Sequence, residues 1–147
     1  MPRIERTSTV TWDGNVARGE GSLTAATSGA FDALPFSLPT RIGQAEGKTS
    51  PEELLAAATA GCYAMSLGSE LARDGTPPGR LEVRCKIVMD EVPDEGHQIV
   101  GAELAVRADA DGASDEALDA ALERAEAGCP FSTLLKKARV RVDVSRV

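Results

Sequence analysis

Ser50-Pro51-Glu52-Glu53-Leu54-Leu55-Ala56-Ala57-Ala58-Thr59-Ala60-Gly61-Cys62-Tyr63-Ala64-Met65-Ser66-Leu67 is the stretch on which the fold of this 147-residue chain turns. Ser50 can cap a helix, Pro51 suits its first position, and Glu53 completes a capping box. The pattern predicts a helix running to about Arg73 and ending before Asp74-Gly75-Thr76-Pro77-Pro78-Gly79. Leu54, Leu55, Ala56, Ala57, Ala58, Ala60, Cys62, Ala64, Met65 and Leu67 make it apolar almost all round, and a helix without a polar face is a buried one. Its small residues invite a close helix neighbour. One sheet can cover one side. The other needs either a second hairpin of the same chain or a second subunit, and the expectation is an intimate homodimer.

On the N-terminal side, Thr7-Ser8-Thr9-Val10-Thr11-Trp12 is rich in β-branched residues, and Asp13-Gly14 predicts a short hairpin turn. A second strand is expected from about Asn15 to Ala26. Residues 27–49, with Gly29, Pro35, Pro39, Gly43 and Gly47, read as a long loop holding a short extended piece near Leu34-Pro35-Phe36-Ser37-Leu38; loops of this length are often functional. On the C-terminal side, strands at about Leu81–Val92 and Gln98–Ala108 are joined by the turn Pro93-Asp94-Glu95-Gly96. Ser114 caps a helix over Asp115–Ala127, which Gly128 can end, and Cys129-Pro130-Phe131-Ser132 starts another turn. Val140, Val142 and Val144 alternate in a final strand. Hairpins rather than βαβ crossovers make the predicted class α+β with antiparallel sheet, one domain over residues 1–147.

Composition narrows the function. Hydrophobic residues at 42% and charged residues at 27% give a globular balance, and with only 3% aromatic residues the core must rest on Val, Leu, Ile and Ala. The net charge of -7, with no basic run to offset it, repels phosphate backbones and anionic lipid, so neither nucleic acid nor a membrane is an expected partner. No window reaches the roughly 18 apolar residues of a membrane span. Met1-Pro2-Arg3-Ile4-Glu5-Arg6 has no apolar stretch behind it and does not read as a signal peptide. Cys62, Cys85 and Cys129 are too few and too scattered for a disulfide scaffold. Without a C-x-x-C, and with His97 the sole histidine, one chain can assemble neither a zinc cluster nor a Cys-His or Ser-His pair. The expectation is a cytoplasmic protein with free thiols and no metal or other cofactor.

Taken singly, the candidate residues have ordinary explanations. A free cysteine inside a buried helix, as Cys62 is, behaves as a small hydrophobe. Cys85 lies between Arg84 and Lys86, whose side chains point to the opposite face of the strand, and reads as core. Glu52 and Glu53 are accounted for by the helix dipole and the capping box. Arg41 reads as a solvated charge in the long loop, and His97 as exposed and idle. Cys129 has a different setting, because at a helix N-cap the exposed backbone N–H groups favour a thiolate, but as a lone residue it too reads first as structural.

Taken together, Trp12-x-Gly14, Pro35-Phe36-Ser37, Thr40-Arg41, Pro51-Glu52-Glu53-Leu54 with Ala60-Gly61-Cys62, and Gly128-Cys129-Pro130-Phe131-Ser132 resemble the OsmC/Ohr family (osmotically inducible protein C and organic hydroperoxide resistance proteins), closer to its OsmC branch. The resemblance spans nearly the whole chain; Cys85 is an extra thiol outside it. It implies antiparallel sheets wrapped around central buried helices in an interlocked α+β homodimer, with active sites at the subunit interface. It also implies a thiol-dependent peroxidase of stress defence, acting on organic hydroperoxides and less well on hydrogen peroxide. In that scheme Cys62 matches the peroxidatic cysteine, Cys129 the resolving one, and Arg41 and Glu52 the pair that tunes the first thiol. An external dithiol, of the dihydrolipoyl type in the family, would restore the protein, and Phe36, Met65 and Phe131 are plausible walls for an alkyl group. A small apolar ligand-binding module, or a redox sensor with non-catalytic cysteines, stands as the alternative.

The chemistry accounts for the residue types. The thiolate attacks the O–O bond, and at an unperturbed pKa near 8.5 only about 3% is ionised at pH 7. A pKa near 6 would make it about 90%, a preference of about 3.4 kcal/mol that a guanidinium can supply and a carboxylate can orient. Glu52 lies ten residues before Cys62, about 15 Å along a straight helix and about 80° round it, so a direct contact between the two is not expected. A bend near Gly61, a spanning Arg41 or a Glu52 from the other subunit would each resolve this.

Overall fold

The computed structural model describes residues 2–147; Met1, which opens the N-terminal stretch read above, lies outside them. The chain is α+β and forms two compact units, Met1–Pro51 and Glu52–Val147.

In the first unit, β1 (Thr9–Asp13), β2 (Glu20–Thr24) and β3 (Leu34–Phe36) form an antiparallel sheet in the order β1-β2-β3. The register places Gly21 opposite Trp12 on one side and Phe36 on the other. The two rings meet over that glycine with centroids 5.4 Å apart at 56°. A Cβ at position 21 would strike both rings, so only glycine lets them pack there. Two expectations are corrected in this unit. The turn after Asp13 is not a two-residue hairpin: Glu20 pairs with Asp13, and residues 14–19 form a longer loop. The Asn15 carbonyl takes the N–H groups of Arg18 and Gly19 there, and its side chain takes the Arg18 N–H as well, so these residues turn rather than begin a strand. The long segment 27–49 also contains a helix, α1 (Leu38–Ile42). Ser37 caps it by accepting the Thr40 N–H, Pro39 falls in its first turn, and Arg41 lies in its last turn rather than in a loop.

The second unit carries the larger core. α2 (Pro51–Arg73) spans the predicted residues, and β4 (Arg80–Val92) and β5 (Gly96–Asp109) form the predicted hairpin. Asp94 and Gly96 take positive φ at its turn. α3 (Asp115–Gly128) is capped by Ser114, which accepts the Ala117 N–H, and α4 (Pro130–Lys137) and β6 (Arg141–Arg146) follow. The sheet order is β4-β5-β6, with β4 and β5 antiparallel but β5 and β6 parallel. This corrects the expectation of hairpins only: α3 and α4 return the chain to the end of the sheet where β5 began, a crossover that permits parallel pairing.

Tyr63, Leu67 and Leu71 of α2 are fully buried against Leu104 and Val106 of β5 and Ala121, Leu122 and Ala125 of α3. Along β4 the alternation turns Leu81, Val83, Cys85 and Ile87 inward and Arg80, Glu82, Arg84 and Lys86 outward, as the period-2 reading required. Within one chain α2 is covered along one side. Its buried residues, Thr59, Tyr63, Leu67 and Leu71, form one i, i+4 stripe, while Ala57, Ala58, Gly61 and Met65 are exposed.

Candidate functional site

Helix geometry decides where the two candidate thiols go. Position 62 is one residue off the buried stripe of α2, so Cys62 lies on its shoulder, half-buried, packed against the core cluster. Tyr63, on the stripe, donates its hydroxyl to the Leu122 carbonyl of α3 at 3.0 Å. Farther along α2, Arg124 of α3 donates its Nε–H to Glu70 at 2.8 Å and pairs with Asp74. These contacts fix α3 against α2 and so set where α3 ends. Cys129 closes α3, donating its N–H to the Glu126 carbonyl, and with φ -79° and ψ 116° serves as the N-cap of α4, with Pro130 next. The sharp change of direction delivers its fully buried sulfur to α2.

Cys62 and Cys129, 67 positions apart, thus stand with sulfurs 3.3 Å apart, both as free thiols, the Cys129 S–H donating to Cys62 Sγ. A disulfide S–S bond is about 2.05 Å, so oxidation needs a closure of little more than about 1 Å.

The electrostatics of the two differ. Burial pushes the Cys62 thiol up; the Phe131 N–H works against this without overcoming it, and the facing Cys129 thiol adds to the rise. Burial also pushes Cys129 up, but toward its ionised sulfur the N–H and hydroxyl of Ser132, the Cys62 thiol and the Phe131 N–H prevail and bring it below its ordinary value. Cys129 makes no capping hydrogen bond of full geometry, so these amides act on its sulfur through their dipoles. The sequence reading puts a cation-lowered pKa on Cys62 and an N-cap-favoured thiolate on Cys129. In the resting dithiol the lowering falls on Cys129, because the α4 N-terminus opens toward that sulfur whereas Cys62 is mid-helix, where the N–H groups are already engaged.

The remaining candidates fall as follows. Glu52 is in the first turn of α2, and α2 is helical through Gly61. Arg41, exposed on α1, lines with Trp12, Val16, Phe36, Ser37, Leu38 and Pro51 a cavity of about 200 Å³ in the first unit. Phe131 is half-buried against the same cluster as Cys62, and Met65 is 72% exposed on α2. Cys85 is half-buried on β4, its thiol raised by burial, and His97 is exposed. Among the described residues no group of three or more His, Cys, Asp or Glu is placed to hold a metal ion. Sequence reasoning missed Tyr63, whose partner only the fold supplies, the role of Trp12 as a cavity wall, and the burial of Ser132. The last had a signal: position 132 is the N3 residue of a helix capped by cysteine, where a polar side chain faces back toward the cap.

Residues 43–145 match the family described as OsmC-like protein. The Peroxiredoxin OsmC of Escherichia coli (strain K12) is 33% identical over 132 residues, covering 90% of each chain. Among solved structures, an organic hydroperoxide resistance protein OsmC from Legionella pneumophila superposes with a TM-score of 0.74 at 21% identity, covering 98% of both chains. The organic hydroperoxide resistance protein OhrB of Bacillus subtilis gives 0.74 at 24% identity, covering 96% of this chain and 98% of its own. An OsmC-like protein of unknown function from Vibrio cholerae gives 0.79 at 14% identity, covering 99% and 100%. At these identities the three structures bear on the fold.

Proposed function

The chain belongs to the OsmC-like protein family, and from that premise we propose that it is a cysteine-based peroxidase that reduces organic hydroperoxides in oxidative and osmotic stress defence. One observation carries the reading: two free cysteines far apart in sequence, with sulfurs 3.3 Å apart in a half-buried site. The 33% identical relative bears the name peroxiredoxin.

Cys62 is the peroxidatic residue, because it is the partly exposed thiol of the pair and a peroxide can reach it, whereas Cys129 is fully buried. The Cys62 thiolate attacks the O–O bond of ROOH. The alkoxide leaves, takes a proton and departs as ROH, and Cys62 becomes a sulfenic acid. The Cys129 thiolate attacks that sulfur and expels hydroxide, which becomes water, giving the Cys62–Cys129 disulfide. An external dithiol, of the dihydrolipoyl type, then exchanges with the disulfide and restores both thiols. No metal, haem or flavin takes part.

Burial raises the Cys62 thiol in the resting dithiol, so the attacking state needs a cation. That role is proposed for Arg41, held by Glu52 through a bidentate pair. Phe36, Met65 and Phe131 are proposed as apolar walls for the alkyl group, which favours bulky hydroperoxides over hydrogen peroxide. A homodimer is part of the same reading: Ala57, Ala58, Gly61 and Met65 form an exposed apolar face of α2 for a second copy to cover, and sedimentation as a stable folded monomer at low micromolar concentration would refute it. A cytoplasmic location, where thiols are kept reduced between turnovers, is part of the same reading.

The deciding experiment is a turnover assay with cumene or tert-butyl hydroperoxide and a dithiol reductant. Consumption over many cycles is expected. Stoichiometric oxidation without turnover would replace the enzyme with a redox sensor, and no oxidation at all would leave a binding module.

A further inference from the structure

Ser132 is fully buried, and its hydroxyl is the buried side-chain polar atom that has no hydrogen-bond partner among the described residues. A buried hydroxyl without a partner is costly, and replacing it by an apolar group of the same shape is neutral or favourable, so packing does not explain it. Its place in the fold does. Ser132 is the N3 residue of α4, and Cys129 is the N-cap. In a capping box the N3 side chain would take the N–H of the cap residue, but the Cys129 N–H is already donated to Glu126 and the Cys129 carbonyl already accepts the Thr133 N–H. The remaining polar atom of Cys129 is its sulfur. In the resting dithiol that sulfur keeps its proton and donates it to Cys62 Sγ, and a neutral thiol sulfur is only a weak acceptor for Ser132. Once Cys129 loses its proton, its sulfur becomes the acceptor that Ser132 lacks.

We propose that Ser132 is the residue that holds the Cys129 sulfur as a thiolate, its buried hydroxyl donating to that sulfur together with the open N-terminus of α4. Two steps use such a thiolate, and both rest on the peroxidase reading above. In the first, Cys129 must be deprotonated to attack the sulfenic sulfur of Cys62, forming the S–S bond as hydroxide leaves. In the second, the thiolate of the external dithiol attacks one sulfur of the Cys62–Cys129 disulfide, and the better-held sulfur is the better leaving group. Attack therefore falls on Cys62, forming a mixed disulfide with it and releasing Cys129 as a thiolate toward Ser132. The second thiol of the reductant then closes on its own sulfur, releasing the Cys62 thiolate and the cyclic oxidised reductant.

The groups facing Cys129 leave this role to Ser132. From α2 come Cys62 and Tyr63, and the Tyr63 hydroxyl is committed to the Leu122 carbonyl and held neutral by burial. From α3 comes Glu126, paired with Lys136 of α4. β4 contributes Cys85 to the same cluster, its thiol pushed up by burial.

The test is a pH titration of the ultraviolet thiolate absorbance in a Cys62→Ser/Cys85→Ser variant, where Cys129 is the single thiol, with and without Ser132→Ala. The expected result is a rise of the Cys129 midpoint by about one pH unit on removing the hydroxyl. Thermal stability at acidic pH should be unchanged or higher, since alanine loses an unpartnered buried group. A midpoint that does not move overturns the proposal, and so does a Ser132→Ala protein that is less stable at acidic pH with the midpoint unmoved, which would mark a structural role. No peroxide enters this titration. A chain that titrates as expected but turns over no hydroperoxide keeps the thiolate device and loses the peroxidase reading; the converse result loses only Ser132.

Discussion

α2 and α4 both open on proline and both carry a cysteine of the candidate site, yet they treat that cysteine in opposite ways. In α2 the thiol sits three turns from the start, flanked by engaged backbone, and burial raises it. In α4 the thiol is the cap itself, and the first-turn N–H groups and Ser132 lower it. The lesson is one of position along a helix. The same residue type becomes a hard-to-ionise thiol mid-helix and an easily ionised one at the mouth, because only the first turn has N–H groups to spare. On the proposed reading, this resting asymmetry readies Cys129 for resolution and leaves Cys62 to be activated by a cation, the role proposed for Arg41.

The strongest break of that comparison is Cys62→Ser, which removes the nucleophile at almost constant volume. Hydroperoxide turnover should fall on the order of a thousandfold or more with the fold intact; residual turnover near wild type would unseat Cys62. Cys129→Ser comes next. With Cys62 sulfenic acid unresolved, turnover should fall on the order of a hundredfold, and mass spectrometry should find sulfinic and sulfonic acid on Cys62. Peptide mapping of the wild type after stoichiometric oxidation should give an intramolecular Cys62–Cys129 link, and a link between subunits would refute the pairing.

Much of this was legible in the sequence. The Ser50-Pro51 start and the polar stop after Arg73 bounded α2 correctly, because local capping chemistry marks helix ends. Cys129 at an N-cap followed from Pro130 for the same reason. What failed depended on long-range partners. The parallel pairing of β5 with β6 has no local signature, since it depends on where α3 and α4 deposit the chain. The turn after Asp13 is decided by the Asn15 side chain and by Trp12 pairing with Gly21, and only the second strand reveals both. α1 hides in a segment whose prolines and glycines read as loop, although Ser37 and Pro39 together form a cap signal. For the site, the family resemblance named the cysteines and the N-cap position favoured a thiolate at Cys129, while the contact of the two sulfurs and the rise of Cys62 required the geometry.

Arg41→Ala sharpens the contrast between the two thiols rather than breaking it. If the guanidinium activates Cys62, its loss should raise the Cys62 pKa by about one unit or more and slow reaction with peroxide roughly tenfold at pH 7. Alkylation rate against pH, in a Cys129→Ser/Cys85→Ser background, reads Cys62 alone. An unchanged profile would leave that thiolate without its cation. Smaller still is Tyr63→Phe, which removes the hydrogen bond from α2 to the Leu122 carbonyl. Stability should drop by about 1 kcal/mol in denaturant titration; no change would mean that this bond does not tie α3, and so Cys129, to α2.

The smallest effect is expected at Cys85, the third thiol, which tests whether the pair is special or any buried cysteine would serve. Cys85 is half-buried on β4, and burial alone raises its thiol, with no helix mouth to offset the rise. It is therefore protonated at neutral pH and a poor nucleophile. A raised thiol is neutral in the fold at a pH where it would already ionise in the unfolded chain. Its contribution to stability is full below the unfolded value and is lost as pH rises through the folded one. Cys62 has the same sign and Cys129 the opposite, since a depressed thiol stabilises the fold above its unfolded value and loses that contribution as pH falls. Cys85→Ser should leave turnover within about twofold of wild type and the Cys62–Cys129 link unchanged, while flattening the decline of stability on the alkaline side. A large loss of turnover, or a Cys62–Cys85 disulfide in the oxidised wild type, would show that the 3.3 Å contact between Cys62 and Cys129 is not the one the chemistry uses.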